Sequence, residues 1–385
     1  MLKIAFVSGI GFTDCDFPLI HSFLERNIDI KYFLFCSDQT PCGGAIDLRT
    51  ENLRPGIYKA SKLHAFCPYK NYLDLDCISV VYGKKGWSRL AFSNWLIFIQ
   101  VLWMFLGRRP NILHLAFPLS NQWKFLYYVT KKIVGVVHDP LRHSCFTETK
   151  EEKDRIEFFN KCDKLVLLNE VQLDDFINTY NIDKKKVFIN KLGEYECLRI
   201  CGQGKRIFDF PYVLFFGQIQ NHKGIEFLCE SMDMIHDKHP NVHLVIAGKG
   251  KIYFDLDKIQ NRNNIHLLND FISIEELANL LKYCEFSVCY YKDATQSGCV
   301  QTAFSADVPL IVSDVGALPK AVTNNVTGIV VPACNSELLA TAIDELLSTP
   351  DLLLRMKDNI KTIWRPTMTW ETIAEQYLKI YTVNI

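Results

Sequence analysis

Three stretches of this chain bring chemically useful residues to places where an α/β fold offers backbone donors. In the first, Lys223-Gly224 closes the loop QIQNHKG between the apolar run PYVLFFG and a helical stripe of Ile225, Leu228, Cys229, Met232 and Ile235. An ammonium and unpaired N–H groups at a helix start can share a phosphate. In the second, the run EFSVCYY is followed by the loop KDATQ, and Ser297-Gly298 opens a helix before the strand-like PLIVS. Small residues there let backbone donors approach an anion closely. In the third, IVGVV ends in His138-Asp139-Pro140-Leu141-Arg142-His143. Titratable groups crowded at the end of a buried strand suit contact with a sugar or phosphate; the alternative for His138 is a hydrogen bond to a neighbouring strand.

Other patterns are weaker guides. Gly9-x-Gly11 lacks the third glycine of a dinucleotide fingerprint, because Asp14 holds its place, so a glycine-rich turn facing an interdomain cleft is the better account. Asp74-x-Asp76 reads as a solvated strand entrance, since two carboxylates alone do not complete the octahedral shell of magnesium. No metal site is expected. Lys+Arg and Asp+Glu stand at 43 each, which removes any global field for nucleic acid. The 14 cysteines fall mostly inside apolar runs without C-x-x-C spacing, as reduced core residues of a cytosolic protein do. MLKIAFVSGIGF reads as a first strand rather than a signal peptide.

The elements that position these residues alternate between strand and helix periods. KIAFVSG, IKYFLFC, CISVVYG, NILHLAF, IVGVV, KLVLLN and KVFINKLG read as strands of a first lobe, with helices at FPLIHSFLERN, from Trp123 to Lys132, at EKDRIEFFNKC and at EVQLDDFINTY. EYECLRICGQGKRIFDFP has no clear period and reads as a linker. PYVLFFG, VHLVIAGKG, residues 264–269, EFSVCYY, PLIVS and GIVVP then build a second lobe. A last stripe, Trp370, Ile373, Tyr377 and Ile380, follows a break at Arg365-Pro366 and crosses back to the first lobe. Leu90–Gly107 reaches the minimum length of a membrane span, but Ser93, Asn94 and Gln100 interrupt it. A buried or partly membrane-facing helix is favoured; an exposed face, with Lys84, Lys85, Arg89, Arg108 and Arg109 at its ends, would dock on anionic lipid.

The order of FFGQIQNHKGIEFL, VHLVIAGKG, SIEELANLLKYCEFSV, QSGCVQTAFSADVPLIVSDVGALPKAVTNNVTGIVVP and TWETIAEQYLKIY, with RRPNILHL, IVGVVHDPLRHS and KLVLLNEVQLDDF in the first half, resembles a known family. It is that of the retaining, nucleotide-sugar-dependent glycosyltransferases of the GT-B fold, the group 1 type of capsule, O-antigen and exopolysaccharide pathways. The resemblance implies two Rossmann-like doubly wound α/β domains facing across a cleft: an acceptor-side domain at residues 1–195, a nucleotide-sugar domain at 205–364, and a crossover helix at 367–385. It implies a sugar nucleotide as donor, no cofactor or metal, a saccharide or lipid-linked saccharide acceptor, and a cytoplasmic place that can be peripheral on the inner face of a membrane.

Carried over residue by residue, the resemblance gives Lys223 the donor pyrophosphate, with the start of the helix at Ser297-Gly298. The family's arginine after Gly217 is replaced here by Gln218, which implies support from another cation. The family's two glutamates, eight positions apart, fall on Ala294 and Thr302, so Asp293, Gln301 or Thr302 would take their place. His138 would meet the donor sugar, Arg142 and His143 the acceptor, and Gly11 the donor. The loops at Gly248 and Asn269 would meet the base, largely through backbone groups. Two rivals remain: a sugar-nucleotide-binding scaffold without catalysis, and a GT-B epimerase of UDP-sugars, against which the scarcity of carboxylates in the central loop counts.

Overall fold

The fold was read from a computed structural model that describes residues 2–141, 150–168, 170–293 and 298–383. The chain divides into two compact units, Met1–Gly193 with Trp370–Ile385, and Glu194–Thr369.

The first unit is built on an eight-stranded sheet: β1 (Lys3–Gly9), β2 (Asp29–Ser37), β3 (Gly56–Lys59), β4 (Ile78–Gly83), β5 (Ile112–Leu115), β6 (Ile133–Val137), β7 (Lys164–Leu167) and β8 (Val187–Ile189). The order is β8-β7-β6-β5-β1-β2-β4-β3, parallel except for the edge pair β3–β4. Continuous apolar runs form the central strands because both faces are covered. Alternate residues of β1 serve the two sides. Ala5 and Val7 join Phe33, Phe35, Leu113 and Leu115 in a core closed by Phe98, Val101 and Phe105 of the Phe92–Arg108 helix. Phe6 turns the other way and stacks on His114 at 4.1 Å, beside Phe23, Tyr377 and Tyr381.

That second face is closed by the Thr13–Glu25 and Trp370–Thr382 helices. Tyr381 Oη lies 2.6 Å from His114 Nδ1, Asn190 Nδ2 donates to the Ile373 carbonyl at 3.2 Å, and the Lys164 ammonium donates to the carbonyls of Ile380 and Val383. A cation on the last carbonyls of a helix is favourably placed. An ideal Cβ on Gly193 would stand 2.5 Å from Trp370, so the chain leaves this unit flat against the residue with which it returns.

Some expected elements change character. Trp123 to Lys132 is not an α-helix: a 3₁₀ segment, Asn121–Tyr128, ends before β6 begins at Ile133. The Tyr127 hydroxyl accepts from the Leu119 N–H at 3.0 Å and holds this tight connection. EFSVCYY pairs as a strand only over Ser287–Cys289, which leaves both tyrosines beyond the ladder. The Leu90–Gly107 run is helical over Phe92–Arg108 and packs one face only, so its opposite face is exposed. Buried Asn94 on the packed face accepts from the Lys84 N–H and donates to the carbonyls of Lys84 and Ser88, so every polar group it brings inside is used. Asp74 caps a short turn by accepting from the Asp76 N–H. Among the described residues no helix is long and apolar enough to cross a membrane.

The second unit has six parallel strands: β9 (Tyr212–Phe216), β10 (His243–Ala247), β11 (Ile265–Leu268), β12 (Ser287–Cys289), β13 (Leu310–Ser313) and β14 (Gly328–Val331), in the order β11-β10-β9-β12-β13-β14. Helices Ile225–Met234, Ile274–Tyr283 and Gly298–Ser305 lie between them, and Ser336–Ser348 follows the last strand. Glu194, nearly buried, meets Arg199 at 2.7 Å and Arg365 at 3.0 Å, and Arg365 reaches Asp307 at 2.7 Å. This cluster ties the first residues of the unit to its last turn.

Buried titratable groups give the first unit a definite pH response. Burial pushes the Asp16 carboxyl up to about 8, although Tyr32 donates to it at 2.8 Å, and pushes Asp14 up to about 7. Burial also lowers His114 to about 3 and His138 to about 4. Between pH 4 and 6.5 the carboxyls hold protons that the unfolded chain releases, while the imidazoles lack protons that it binds, and the two effects oppose. Above the unfolded histidine range the carboxyls, joined towards pH 8 by the buried thiols of Cys36 and Cys77, hold protons that the unfolded chain releases, so stability falls as pH rises towards 8. Asp16→Asn should flatten that decline by up to about 1.4 kcal/mol per pH unit. Melting temperatures of both proteins from pH 6.5 to 8.5 check this; parallel curves would remove Asp16 as the cause.

Candidate functional site

In the second unit, β9 is followed in the sheet by β10 on one side and β12 on the other. Chains leaving the carboxyl ends of β9 and β12 therefore part in opposite directions and open a crevice, the usual ligand position of an open α/β sheet. Of the residues singled out in this half of the sequence, Gln218 and Lys223 follow β9, Gly248 follows β10, Asn269 follows β11 and Asp293 follows β12, while Gly298, Gln301 and Thr302 belong to the Gly298–Ser305 helix.

The loop after β9 is shaped by glycines. Gly217 donates to the Ala247 carbonyl at 3.0 Å, and the Ile219 N–H donates to the Lys249 carbonyl at 3.1 Å. At the far end Lys223 closes a 3₁₀ turn, and Gly224 enters the next helix with φ +63°, where a Cβ would lie 2.3 Å from the Tyr290 carbonyl. No other residue fits this position without displacing the chain after β12. Lys223 is thereby carried to that chain: its Nζ lies 3.7 Å from the centre of the Tyr291 ring. A cation over an aromatic face is held by ~0.5–2 kcal/mol depending on its desolvation. The phenol itself is buried and is pushed well above its ordinary range, so it stays a neutral hydroxyl and donates to Cys299 Sγ at 3.1 Å. Cys299 donates in turn to the Phe216 carbonyl at 3.5 Å, which draws the first turn of the Gly298–Ser305 helix against the end of β9.

Lys292 brings a second ammonium to the same loops, where it meets Glu226 at 2.7 Å and Asn221, and its backbone N–H donates to the His222 carbonyl at 2.8 Å. Gln218 is exposed and accepts from Gln220 at 3.0 Å. Gly248 follows β10, and Asn269 both accepts from the Gly250 N–H at 3.0 Å and donates to its carbonyl at 3.1 Å, so that side chain is engaged with the loop itself. Thr302 is buried and its hydroxyl donates back to the Gly298 carbonyl at 2.8 Å within the helix, while Gln301 is half-buried one residue earlier. Asp293 is exposed where the loop after β12 begins. Ser297 lies outside the described residues, as do Arg142 and His143.

In the first unit, His138 stacks on Phe12 at 4.1 Å, next to the turn that contains exposed Gly11. A cavity of about 20 Å³, room for a single water, is lined by Asp16, His114, His138 and Tyr377. Arg155 donates to the carbonyls of Asp139 and Pro140 and fixes the turn after His138. Its lowered pKa leaves His138 a neutral imidazole at pH 7, able to donate from one nitrogen and accept at the other.

Sequence reasoning placed Lys223 and the Gly298 helix at the crevice but missed Tyr291, Cys299 and the Lys292–Glu226 pair. Tyr291 was read as one more residue of a buried run. The available signal was position: it stands two residues past the last pairing of β12, where a side chain serves the loop rather than the sheet.

Over the whole chain the fold is GT-B. The structure of sucrose-phosphate synthase from Thermosynechococcus elongatus matches with a TM-score of 0.69 over 99% of this chain and 98% of that one, at 16% identity. Anabaena HepE in complex with UDP-glucose matches with a TM-score of 0.65 over 98% and 99%, at 13% identity. At the level of sequence, residues 210–349 match the family described as Glycosyl transferases group 1, a segment that holds the crevice just described. Alpha-D-kanosaminyltransferase of Streptomyces kanamyceticus is 26% identical over 176 residues, 45% of this chain and 46% of its own length. The chain spans about half the length of the curated relatives it matches.

The Tyr291 ring can be separated from its hydroxyl. Tyr291→Phe keeps the face beneath Lys223, and Tyr291→Leu removes it. Titration calorimetry with inorganic pyrophosphate should find the phenylalanine variant within about twofold of the parent and the leucine variant weakened by roughly threefold to thirtyfold. Equal losses in both would assign the effect to the hydroxyl and Cys299.

Proposed function

We propose that this protein is a glycosyltransferase that moves a sugar from a nucleotide diphosphate to a saccharide acceptor, with the anomeric configuration retained. The observation that carries this reading is Lys223 held on Tyr291 beside the first turn of the Gly298–Ser305 helix, at the switch point of a sheet inside the segment that matches Glycosyl transferases group 1. A diphosphate leaving group gathers negative charge as its bond to the sugar breaks, and a preorganised ammonium with backbone N–H donors stabilises that charge without reorganisation. In the proposal Lys223 and the start of the helix do this without a metal. Gln218 contributes a neutral donor, and Lys292 is the supplementary cation that the sequence asked for. Asp293, Gln301 or Thr302 takes the place of the missing glutamates, and the half-buried amide of Gln301 suits a ribose better than the back-bonded hydroxyl of Thr302. The neutral imidazole of His138 contacts the donor sugar, with Gly11 also on the donor and Arg142 and His143 on the acceptor.

The acceptor in this reading is lipid-linked and the setting is cytoplasmic synthesis of a surface polysaccharide, as the family resemblance implies. Two solved structures of similar fold, both of Anabaena HepE, are complexes with UDP and with UDP-glucose, which makes UDP-sugars the first donors to try.

A thermal-shift screen against UDP-, GDP-, dTDP- and CMP-sugars with EDTA present tests the donor site. One nucleotide class should stabilise the protein by about 2.7 kcal/mol at a hundredfold excess over its dissociation constant. Lys223→Ala should lose that shift while melting at an unchanged temperature without ligand. A shift with no transfer to any saccharide or lipid-linked acceptor would support a scaffold, and no shift with any donor would remove the reading.

A further inference from the structure

We propose that the outward face of the Phe92–Arg108 helix, extended by Phe125 and Tyr128, lies flat on an anionic lipid bilayer. This inference stands on the surface of the first unit and is independent of the donor-site reading.

The face is a predominantly apolar stripe. Phe92 is 74% exposed, Trp95 40%, Leu96 47%, Ile99 50%, Trp103 75% and Leu106 54%, and their spacing of three and four places them along one side of the helix. Gln100 is the polar residue among them. Beside the stripe, Phe125 is 51% and Tyr128 65% exposed, and Phe125 packs edge-on against Phe98 at 6.3 Å, which makes the patch continuous. A helix on the surface of a water-soluble unit turns charged residues outward; this one is apolar on both sides. Its inner side is occupied, with Phe105 stacked on Phe33 at 4.7 Å. The helix therefore cannot leave the sheet to span a membrane, and only the outer side is available.

Charge decides what covers it. From Cys77 to His138 the sequence contains no aspartate or glutamate and eight lysines and arginines, in a chain that as a whole has 43 of each sign. Arg108 pairs with Asp29, and Lys124 with Asp154 and Glu157. Exposed Lys84, Lys85 and Arg89 precede the stripe, and Arg109 and Lys131 stand at its far end. An open groove of about 810 Å³ continues from that end, lined by Leu106, Arg109, Thr130, Lys131 and Lys132, and is large enough for a phosphate headgroup. At the rim the Lys161 ammonium sits 4.5 Å from the centre of the Tyr128 ring. Tryptophan, tyrosine and cations around an apolar strip match the interface of a bilayer whose headgroups are anionic. A second copy of this chain fits poorly, because self-pairing of the face sets cations at both ends against cations.

The test uses the whole protein and vesicles of phosphatidylcholine alone or with one third phosphatidylglycerol. Sedimentation should show at least tenfold stronger binding to the anionic vesicles, with a blue shift of tryptophan emission from Trp95 and Trp103. Trp95→Ser with Trp103→Ser should lose tenfold or more of the binding and the blue shift, while any nucleotide-sugar thermal shift is kept. Lys84→Glu, Lys85→Glu and Arg89→Glu together should reduce binding to anionic vesicles to the neutral level, and give a second readout if the tryptophan variant does not fold. Absence of binding to anionic vesicles overturns the proposal. Equal binding to both vesicles overturns the charge assignment. A dimer in solution that the tryptophan variant converts to a monomer replaces the bilayer with a second copy.

Discussion

Two backbones pass each other without side chains at the carboxyl edge of the second sheet, and the candidate site depends on that passage. A Cβ on Gly248, where φ is +153°, would stand 1.8 Å from the Gly217 carbonyl, and one on Gly250 would stand 2.1 Å from that of Ile219. These approaches let the loop after β9 pair with the loop after β10, and Asn269 locks the second loop by bonding both backbone groups of Gly250. With its near end pinned, the loop after β9 can deliver Lys223 and Gly224 beneath the chain that follows β12. Glycine is required at these points by contact distance, and flexibility is not what it supplies.

The same crowding explains why the site is economical in charge. Lys223 rests on a ring, Lys292 is matched by Glu226, and the helix that faces them begins with Gly298 and Cys299. Neither ammonium has to be buried without compensation, and both remain on loops at a sheet edge where an anion can add to an arrangement that is already neutral in parts.

Much of the architecture was legible in the sequence because the apolar runs of parallel strands and the one-sided helical stripes are physically distinct patterns. Leu214, Val245 and Ile311 lie in such runs, and Leu228 and Met232 lie in such a stripe. The Lys223-Gly224 pair was legible for the same reason, as the junction between a strand and a helix. What the sequence could not display were decisions made by partners far along the chain. The hydroxyl of Thr302 could face a ligand or its own helix, and it turns to the Gly298 carbonyl. Asn269 could read a base or brace a loop, and its amide is taken by Gly250. Glu194, Arg199, Asp307 and Arg365 are ordinary charges in sequence and become one cluster only when the ends of the second unit meet. Hydropathy likewise marked the 90–107 segment without saying which of its two apolar sides would be covered.

The Trp370–Thr382 helix belongs to the first unit although the whole of the second unit precedes it in the chain. On the ribosome, Phe23 and His114 are made long before Tyr377 and Tyr381, against which they pack. The second unit, a single uninterrupted segment, has all its strands in hand once Thr369 has emerged. The first must wait, with the part of its sheet that the Thr13–Glu25 helix does not cover left open, until the Trp370–Thr382 helix arrives. Synthesis order and completion order are thus reversed: the domain begun first is finished last, and its exposed aromatic face is the part of the nascent protein most in need of protection from association.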